Sequence, residues 1–304
     1  MKRLLALALF TALPAQALEA IQVSPSVYFI RGESGVPSIA NRGHTSNAGF
    51  VVTREGVVVF DALGTPALGR ELVEAIRRVT PAPIRRVILS HYHADHFYGL
   101  QPLKEAGAEI WAHRAARGYL DTEAARLRLE ERRQSLAPWV GADMRLVPAD
   151  RWLDGEEGFQ LGGLSFRVFP VGPAHTPEDL AMAVQEEGVL FVGDLMFAGR
   201  LPFVGDADSR AWIAAIDRIV KFNPKLLIGG HGDVSKDAAA DLRMTRDYLV
   251  YLREKMGAAA ADLEDFEVAY AKTDWSRFAQ LPAFEAANRR NAYNTYIRMQ
   301  GGDK

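Results

Sequence analysis

The sequence predicts a mixed α/β protein, a four-layer αββα sandwich with a helical C-terminal extension, on three observations. Apolar runs of strand length alternate with segments of helical periodicity. They fall into two successive halves, each with strands followed by helices, which implies two facing sheets with helices outside. Several apolar strands also end in a polar residue of metal-ligand type, as strand ends sharing one edge of a sandwich would.

Along the chain, strands are expected at Ser26–Ile30, Ala48–Thr53 and Gly56–Asp61, the last two joined by a hairpin turn at Arg54-Glu55-Gly56. The Gly-, Ser- and Asn-rich stretch from Gly32 to Asn47 reads as a mobile flap. Thr65 to Val79 reads as a helix, with Leu68, Leu72, Ile76 and Val79 on one stripe and Pro81 ending it. A strand follows at Arg86–Ser90, then a short helix at Leu100–Ala106, a strand at Glu109–Ala112 and a long charged helical region from Arg114 to Leu136. Strands return at Phe159–Leu161, Leu164–Pro170, Leu180–Gln185 and Val189–Val192. Asp208-Ser209 can cap a helix over Arg210–Phe222, and Lys225–Gly229 is the final strand. From Ser235 onward the pattern is helical. The expected organisation is a signal peptide over 1–17, one αββα unit over 18–234 and a helical extension over 235–304 packed on the same unit.

With 48% apolar residues in 304, the chain can bury one large core. A net charge of −2 with scattered basic residues offers no footprint for nucleic acid, so a small-molecule substrate is the expected partner. Lys2-Arg3, the apolar run Leu4–Leu13 and Pro14-Ala15-Gln16-Ala17 have the three-part form of a secretory signal cleaved after Ala17. The run is too short to span a bilayer, so the protein is expected to be exported, in the periplasm, without stable membrane insertion. The absence of cysteine excludes thiolate as a ligand.

The chemistry is concentrated in Ser90-His91-Tyr92-His93-Ala94-Asp95-His96, directly behind an apolar strand. Imidazole nitrogen and carboxylate oxygen are donors that zinc accepts, and iron or manganese with less preference. His175, Asp194 and His231 each follow an apolar strand, with small residues just before them that let the backbone crowd an ion.

H-x-H-x-D-H followed by a distant His, Asp and His resembles the signature of the metallo-β-lactamase superfamily over about Val23 to Asp233. The resemblance implies the αββα fold and two zinc ions, with His91, His93 and His175 on one and Asp95, His96 and His231 on the other. Asp194 would bridge both together with a hydroxide, and Asp95 would also orient the nucleophile or relay its proton, as the catalytic residue. The implied activity is hydrolysis of an ester, thioester, lactone or amide. Asp194 stands where lactamases of the best-known type use Cys, and so resembles glyoxalase II and metallo-lactonases; His93 argues against the diiron flavoprotein branch. The exported chain, with Asn47–Phe50, Ala174–Leu180 and its helical extension, resembles zinc metallohydrolases linked to periplasmic sulfur-oxidation and quinoprotein systems. The competing readings are a glyoxalase II-like thioesterase, against which no cationic glutathione clamp stands out, a β-lactamase, and a mononuclear iron persulfide dioxygenase.

Other residues carry two readings each. His44 is a turn residue or lines the mouth of the site; His113 starts a helix or takes part in function. Tyr92, Phe97 and Tyr98 wall the site or wedge the motif loop against the core. Arg200, in the loop Phe197–Val204, meets a substrate carboxylate or makes a structural salt bridge. The tail Asn288–Tyr296 packs on the core or forms an anion-binding wall.

Overall fold

The computed structural model describes residues 17–205 and 207–302; the expected signal peptide therefore lies almost wholly outside the described residues. Seven strands form one sheet in chain order: β1 (Ile21–Gln22), β2 (Val27–Ile30), β3 (Ala48–Thr53), β4 (Gly56–Phe60), β5 (Ile84–Ile88), β6 (Glu109–His113) and β7 (Arg151–Leu153). β1 to β4 pair antiparallel, and β4 to β7 pair parallel. The second sheet has the order β12-β11-β10-β9-β8, from β8 (Glu157–Leu161), β9 (Leu164–Pro170), β10 (Leu180–Val184), β11 (Val189–Phe197) and β12 (Leu226–His231). Only β11 and β12 run parallel in it.

Successive strand residues point to opposite faces, so each strand feeds two cores. Val58 and Phe60 of β4 meet Val189 and Phe191 of β11 between the sheets. Val57 and Val59 face outward onto α1 (Pro66–Val79), while Leu190 and Val192 face the helices on the other side. Three cores separate four layers, and the predicted αββα sandwich is the architecture observed.

The sheet connections carry α1, α2 (Ala94–Phe97), α3 (Leu100–Glu105), α4 (Glu123–Ser135) and α5 (Ser209–Phe222). The Thr65 hydroxyl caps α1 by accepting from Leu68 N at 3.2 Å, with Pro66 at the first helical position, where its missing N–H costs nothing. Asp208 caps α5 through Ala211 N at 2.8 Å. After β12 come α6 (Ala238–Ala261), α7 (Phe266–Lys272) and α8 (Phe284–Gln300), packed over the second sheet in the same core as α5. Among the described residues no helix is long and apolar enough to cross a membrane.

Three expectations are corrected, and two short strands are unforeseen. The long helix over Arg114–Leu136 is instead two 3₁₀ turns, 114–116 and 119–121, followed by α4; the Thr122 hydroxyl accepts from Ala125 N at 3.1 Å and starts a new helix there. Strand β11 runs on past Val192 to Phe197, because Gly193, at φ +52°, takes up a register shift against β12 instead of ending the strand. β1 and β7 carry too short an apolar pattern to stand out. The inner end of the Gly32–Asn47 stretch is no flap: Thr45, Ser46 and Asn47 are buried. Asn47 donates through Nδ2 to the carbonyls of Gly229 and Gly232, both at 2.9 Å, and accepts from Gly32 N at 3.0 Å, stitching this loop to the end of β12.

Candidate metal centre

All seven candidate donors meet at one edge of the sandwich. His91 and His93 lie in the irregular segment behind β5, and Asp95 and His96 lie on the single turn of α2. His175 comes from the loop between β9 and β10, and His231 is the last residue of β12. Asp194 sits inside β11, at the register shift behind Gly193, where the irregularity turns its carboxylate into the site. The close approach needs glycine: a Cβ on Gly230 would stand 1.9 Å from Asp194 Oδ1, and one on Gly193 would stand 2.7 Å from Ser90 Cβ.

The donor atoms form two groups. In the first, His93 Nδ1 is 3.1 Å from His91 Nε2 and 2.9 Å from His175 Nε2. Asp194 Oδ2 is 3.2 Å from His175 Nε2 and 3.9 Å from His91 Nε2. In the second, Asp95 Oδ2 is 3.9 Å from His96 Nε2 and 3.5 Å from His231 Nε2. Asp194 Oδ1 lies 3.2 Å from His96 Nε2 and 3.4 Å from His231 Nε2, so its two oxygens face different groups. Donors on a tetrahedral zinc would be about 3.3 Å apart, from metal–ligand distances of about 2.0–2.1 Å. His96 Nε2 and Asp194 Oδ1 are buried with no hydrogen-bond partner among the described residues, a cost that a metal cation would relieve. Spacing, donor chemistry and orphaned atoms all fit divalent metal.

A set of outer residues fixes the imidazoles. Asp61, buried and held at φ +62° just behind β4, accepts from Ser90 N and Ser90 Oγ, both at 2.8 Å, and its Oδ2 stands 2.8 Å from His96 Nδ1. With Nδ1–H given to that carboxylate, Nε2 of His96 is left to face the site. His231 Nδ1 is 2.6 Å from the Thr45 carbonyl, which sets its tautomer in the same way. Asp179 accepts from Thr176 N at 2.7 Å and Thr176 Oγ1 at 2.8 Å, shaping the loop that presents His175. Trp212 of α5 packs against the His175 ring, with centroids 5.0 Å apart. Asp61 is the residue sequence reasoning missed; its one signal was a carboxylate ending a fully apolar strand.

Burial and charge set the protonation of this cluster. Burial pushes the His175 pKa down to about 3 and holds His91 and His93 below the usual range, so these rings are neutral and carry free lone pairs. Burial alone would raise the Asp95 carboxyl, but His96 and His231 outweigh it and bring it to about 2. In Asp194 the surrounding imidazoles likewise overcome burial and keep the carboxylate ionised.

The residues with two readings separate cleanly. Tyr92, Phe97 and Tyr98 are 2% exposed or less and pack against one another in tilted and edge-to-face contacts in the core under the first sheet, so they wedge the motif loop. His113 Nδ1 accepts from Ala115 N at 3.4 Å at the start of a 3₁₀ turn, the helix-start role. His44 is buried away from the cavity lining. Arg200 is buried and, among the described residues, meets no carboxylate in a salt bridge: its Nη1 lies 2.8 Å from His231 Nδ1, and it borders the cavity over the donors. In the tail, Asn291 donates to Pro202 O at 2.8 Å and accepts from Val204 N at 2.9 Å, so α8 pins the 197–204 loop, while Arg290 reaches the cavity.

This fold and donor arrangement are those of one superfamily, and the chain belongs to it: the family described as "Metallo-beta-lactamase superfamily" matches residues 41–231. In sequence the chain is 22% identical over 237 residues to the linear primary-alkylsulfatase of a Pseudomonas species, covering 66% of this chain and 44% of the alkylsulfatase. It is 27% identical over 194 residues to the metallo-beta-lactamase type 2 of Bacillus cereus, covering 62% of this chain and 68% of that protein. In structure it is similar to a stereoselective inverting sec-alkylsulfatase from Pseudomonas sp., with a TM-score of 0.66 and 18% identity over 94% of this chain and 50% of the other. The chain thus spans half or less of either alkylsulfatase, and the structural likeness at this identity is one of fold.

Proposed function

We propose that the protein is an exported hydrolase with two metal ions, zinc by donor chemistry, that attacks the carbonyl of an ester, thioester, lactone or amide with a metal-activated hydroxide. The observation that carries this reading is the placement of Asp194, whose Oδ1 and Oδ2 each face a separate group of imidazoles. His91, His93 and His175 would hold one ion, Asp95, His96 and His231 the other, and Asp194 would span both. Bound there, two divalent ions supply hydroxide at neutral pH and a Lewis acid for the substrate oxygen. Asp95 is the donor carboxylate with solvent access, its side chain 24% exposed against 5% for Asp194, so it can take the proton of the attacking water and pass it outward. The Thr45 hydroxyl, 3.3 Å from Asp95 Oδ2, orients that carboxylate.

Export rests on the pattern of residues 2–17. Leu18 is buried and its carbonyl accepts from Arg78 Nη2 at 2.7 Å, so a cut after Ala17 leaves this anchor in place. The relatives are named for alkyl sulfates and β-lactams, so family membership does not choose the bond. Metal analysis of the purified protein tests the reading, together with turnover of a chromogenic cephalosporin, an acyl-glutathione thioester and a lactone. About two zinc per chain with turnover of one of the three supports it; a single iron per chain would sink it in favour of oxygen chemistry. Amino-terminal sequencing of periplasmic protein tests the Ala17 cut.

A further inference from the structure

The cavity over the donor groups is bordered by four arginines from three distant parts of the chain: Arg128 and Arg132 on α4, Arg200 behind β11 and Arg290 on α8. Among the described residues its only acidic lining groups are Asp95 and Asp194, whose charge is committed to the metal site. Glu131 meets Arg128 Nη1 at 3.3 Å and Arg132 Nη1 at 3.5 Å, which leaves most of their N–H groups free, since a guanidinium carries five donors. Arg132 Nε and Arg200 Nε are buried without a hydrogen-bond partner among the described residues, and Arg200 as a whole is 6% exposed. Among the described residues no carboxylate pairs with Arg200 or Arg290; Arg290 instead lies over the Phe203 ring, 5.4 Å from its centroid, which holds it at the wall. A buried guanidinium with free donors is costly unless an anion meets it, and the planar fork matches an oxyanion in particular.

Thr45 and Tyr119 each add a hydroxyl to the lining, and the rest of the wall is apolar. Val36 and Pro37 approach from the loop before β3, and Phe203, Ala283 and Ala287 from the α8 side. Charged recognition is therefore confined to the arginines and the metal donors, and an apolar body can lie between them.

We propose that the substrate is an amphiphilic oxyanion: a small molecule whose carboxylate or sulfonate-type group is held by Arg128, Arg132, Arg200 and Arg290, and whose apolar body lies on Val36, Phe203 and Ala287. The proposal deepens the hydrolase reading and rests on it for the bond that breaks. The group held by the arginines need not be the group that reacts.

The test is calorimetric titration of the zinc-loaded mature protein with hexanesulfonate, hexanoate and the neutral hexan-1-ol, none of which needs to be turned over. At least one anion is expected to bind about tenfold or more tighter than the alcohol, and the tighter of the two identifies the head group. Arg128→Gln and Arg290→Gln lie away from the donors, and each is expected to weaken the anion about 5- to 20-fold, the cost of losing one charge-assisted hydrogen bond at a partly exposed site. Binding of the alcohol and zinc content should stay unchanged, and zinc content also reports that each variant is folded. Equal binding of anion and alcohol, no measurable binding of either anion, or undiminished anion binding in both variants would overturn the proposal, the last by showing that the metals alone attract the anion. Hydrolysis fails separately: zinc-dependent turnover of a neutral lactone as good as that of its carboxylated analogue removes the anion site and keeps the hydrolase.

Discussion

At the floor of the cavity His91, His96, His175, Asp194 and His231 are 4% exposed or less and stand on strands or the turns directly behind them. At its mouth Arg128 and Arg132 are half-buried and Arg290 exposed, all three on helices outside both sheets. The floor is over-determined: Asp61, Ser90 and Thr45 fix its rings, and glycines admit its carboxylate. The mouth is held by side-chain packing and a few hydrogen bonds, such as those of Asn291 to the loop before α5. Reaction chemistry needs donors placed to a few tenths of an ångström, which a sheet edge supplies. Selectivity needs only charge and shape at the right side, which surface helices can supply and exchange without disturbing the sheet.

The contrast breaks if the floor tolerates change. The largest expected effect is that of Asp194→Ala and Gly230→Ala, the second by driving a methyl into Asp194 Oδ1; each should lower metal content well below the wild-type level and cut turnover by at least ~10³-fold. Metal analysis alongside kinetics checks this, and full occupancy in either variant would show that Asp194 does not span the groups. Asp95→Ala should cost about 10²- to 10⁴-fold in turnover with a near-native circular dichroism spectrum; undiminished turnover would remove it from proton transfer. Asp61→Asn keeps a residue that accepts positive φ but removes the charge behind His96, and should weaken metal affinity by roughly 10- to 100-fold in a competition with a chelator.

The smallest effect sharpens the comparison from the loop between floor and mouth. Burial, with help from Arg42, lowers the His44 pKa from 6.5 to about 4, so between those values the unfolded chain binds the proton and the folded one does not. Stability from His44 is thus fully present above pH 6.5 and is lost as pH falls toward 4, by at most roughly 3 kcal/mol. His44→Leu should flatten that part of the pH–stability curve in urea unfolding, and an unchanged slope relative to wild type would place His44 in a solvated site.

Much of the floor was legible because its signals are local. His91, His93, Asp95 and His96 are adjacent in sequence, and a polar residue ending an apolar strand marks His175 and His231 without any knowledge of pairing. Asp194 was found for the same reason, although its strand continues past it: Gly193 reads as a stop, and only the parallel pairing with β12 turns it into a bulge. The helix over Arg114–Leu136 was overextended because charged helical composition runs through Gly118, while the Thr122 cap is visible only as a hydrogen bond. Asp61 stayed unremarked because its partner His96 lies across two strands.

The amino-acid sequence by itself determined the mixed α/β class and marked the candidate donors, since both follow from side-chain chemistry and from periodicities that span a few residues. Only the tertiary structure decided which oxygen of Asp194 faces which imidazoles, that Asp61 stands behind His96, and that scattered arginines of a nearly neutral chain converge on one cavity. Those relations join residues tens to hundreds of positions apart, and no local propensity encodes a distance that only the packing of two sheets and three terminal helices creates.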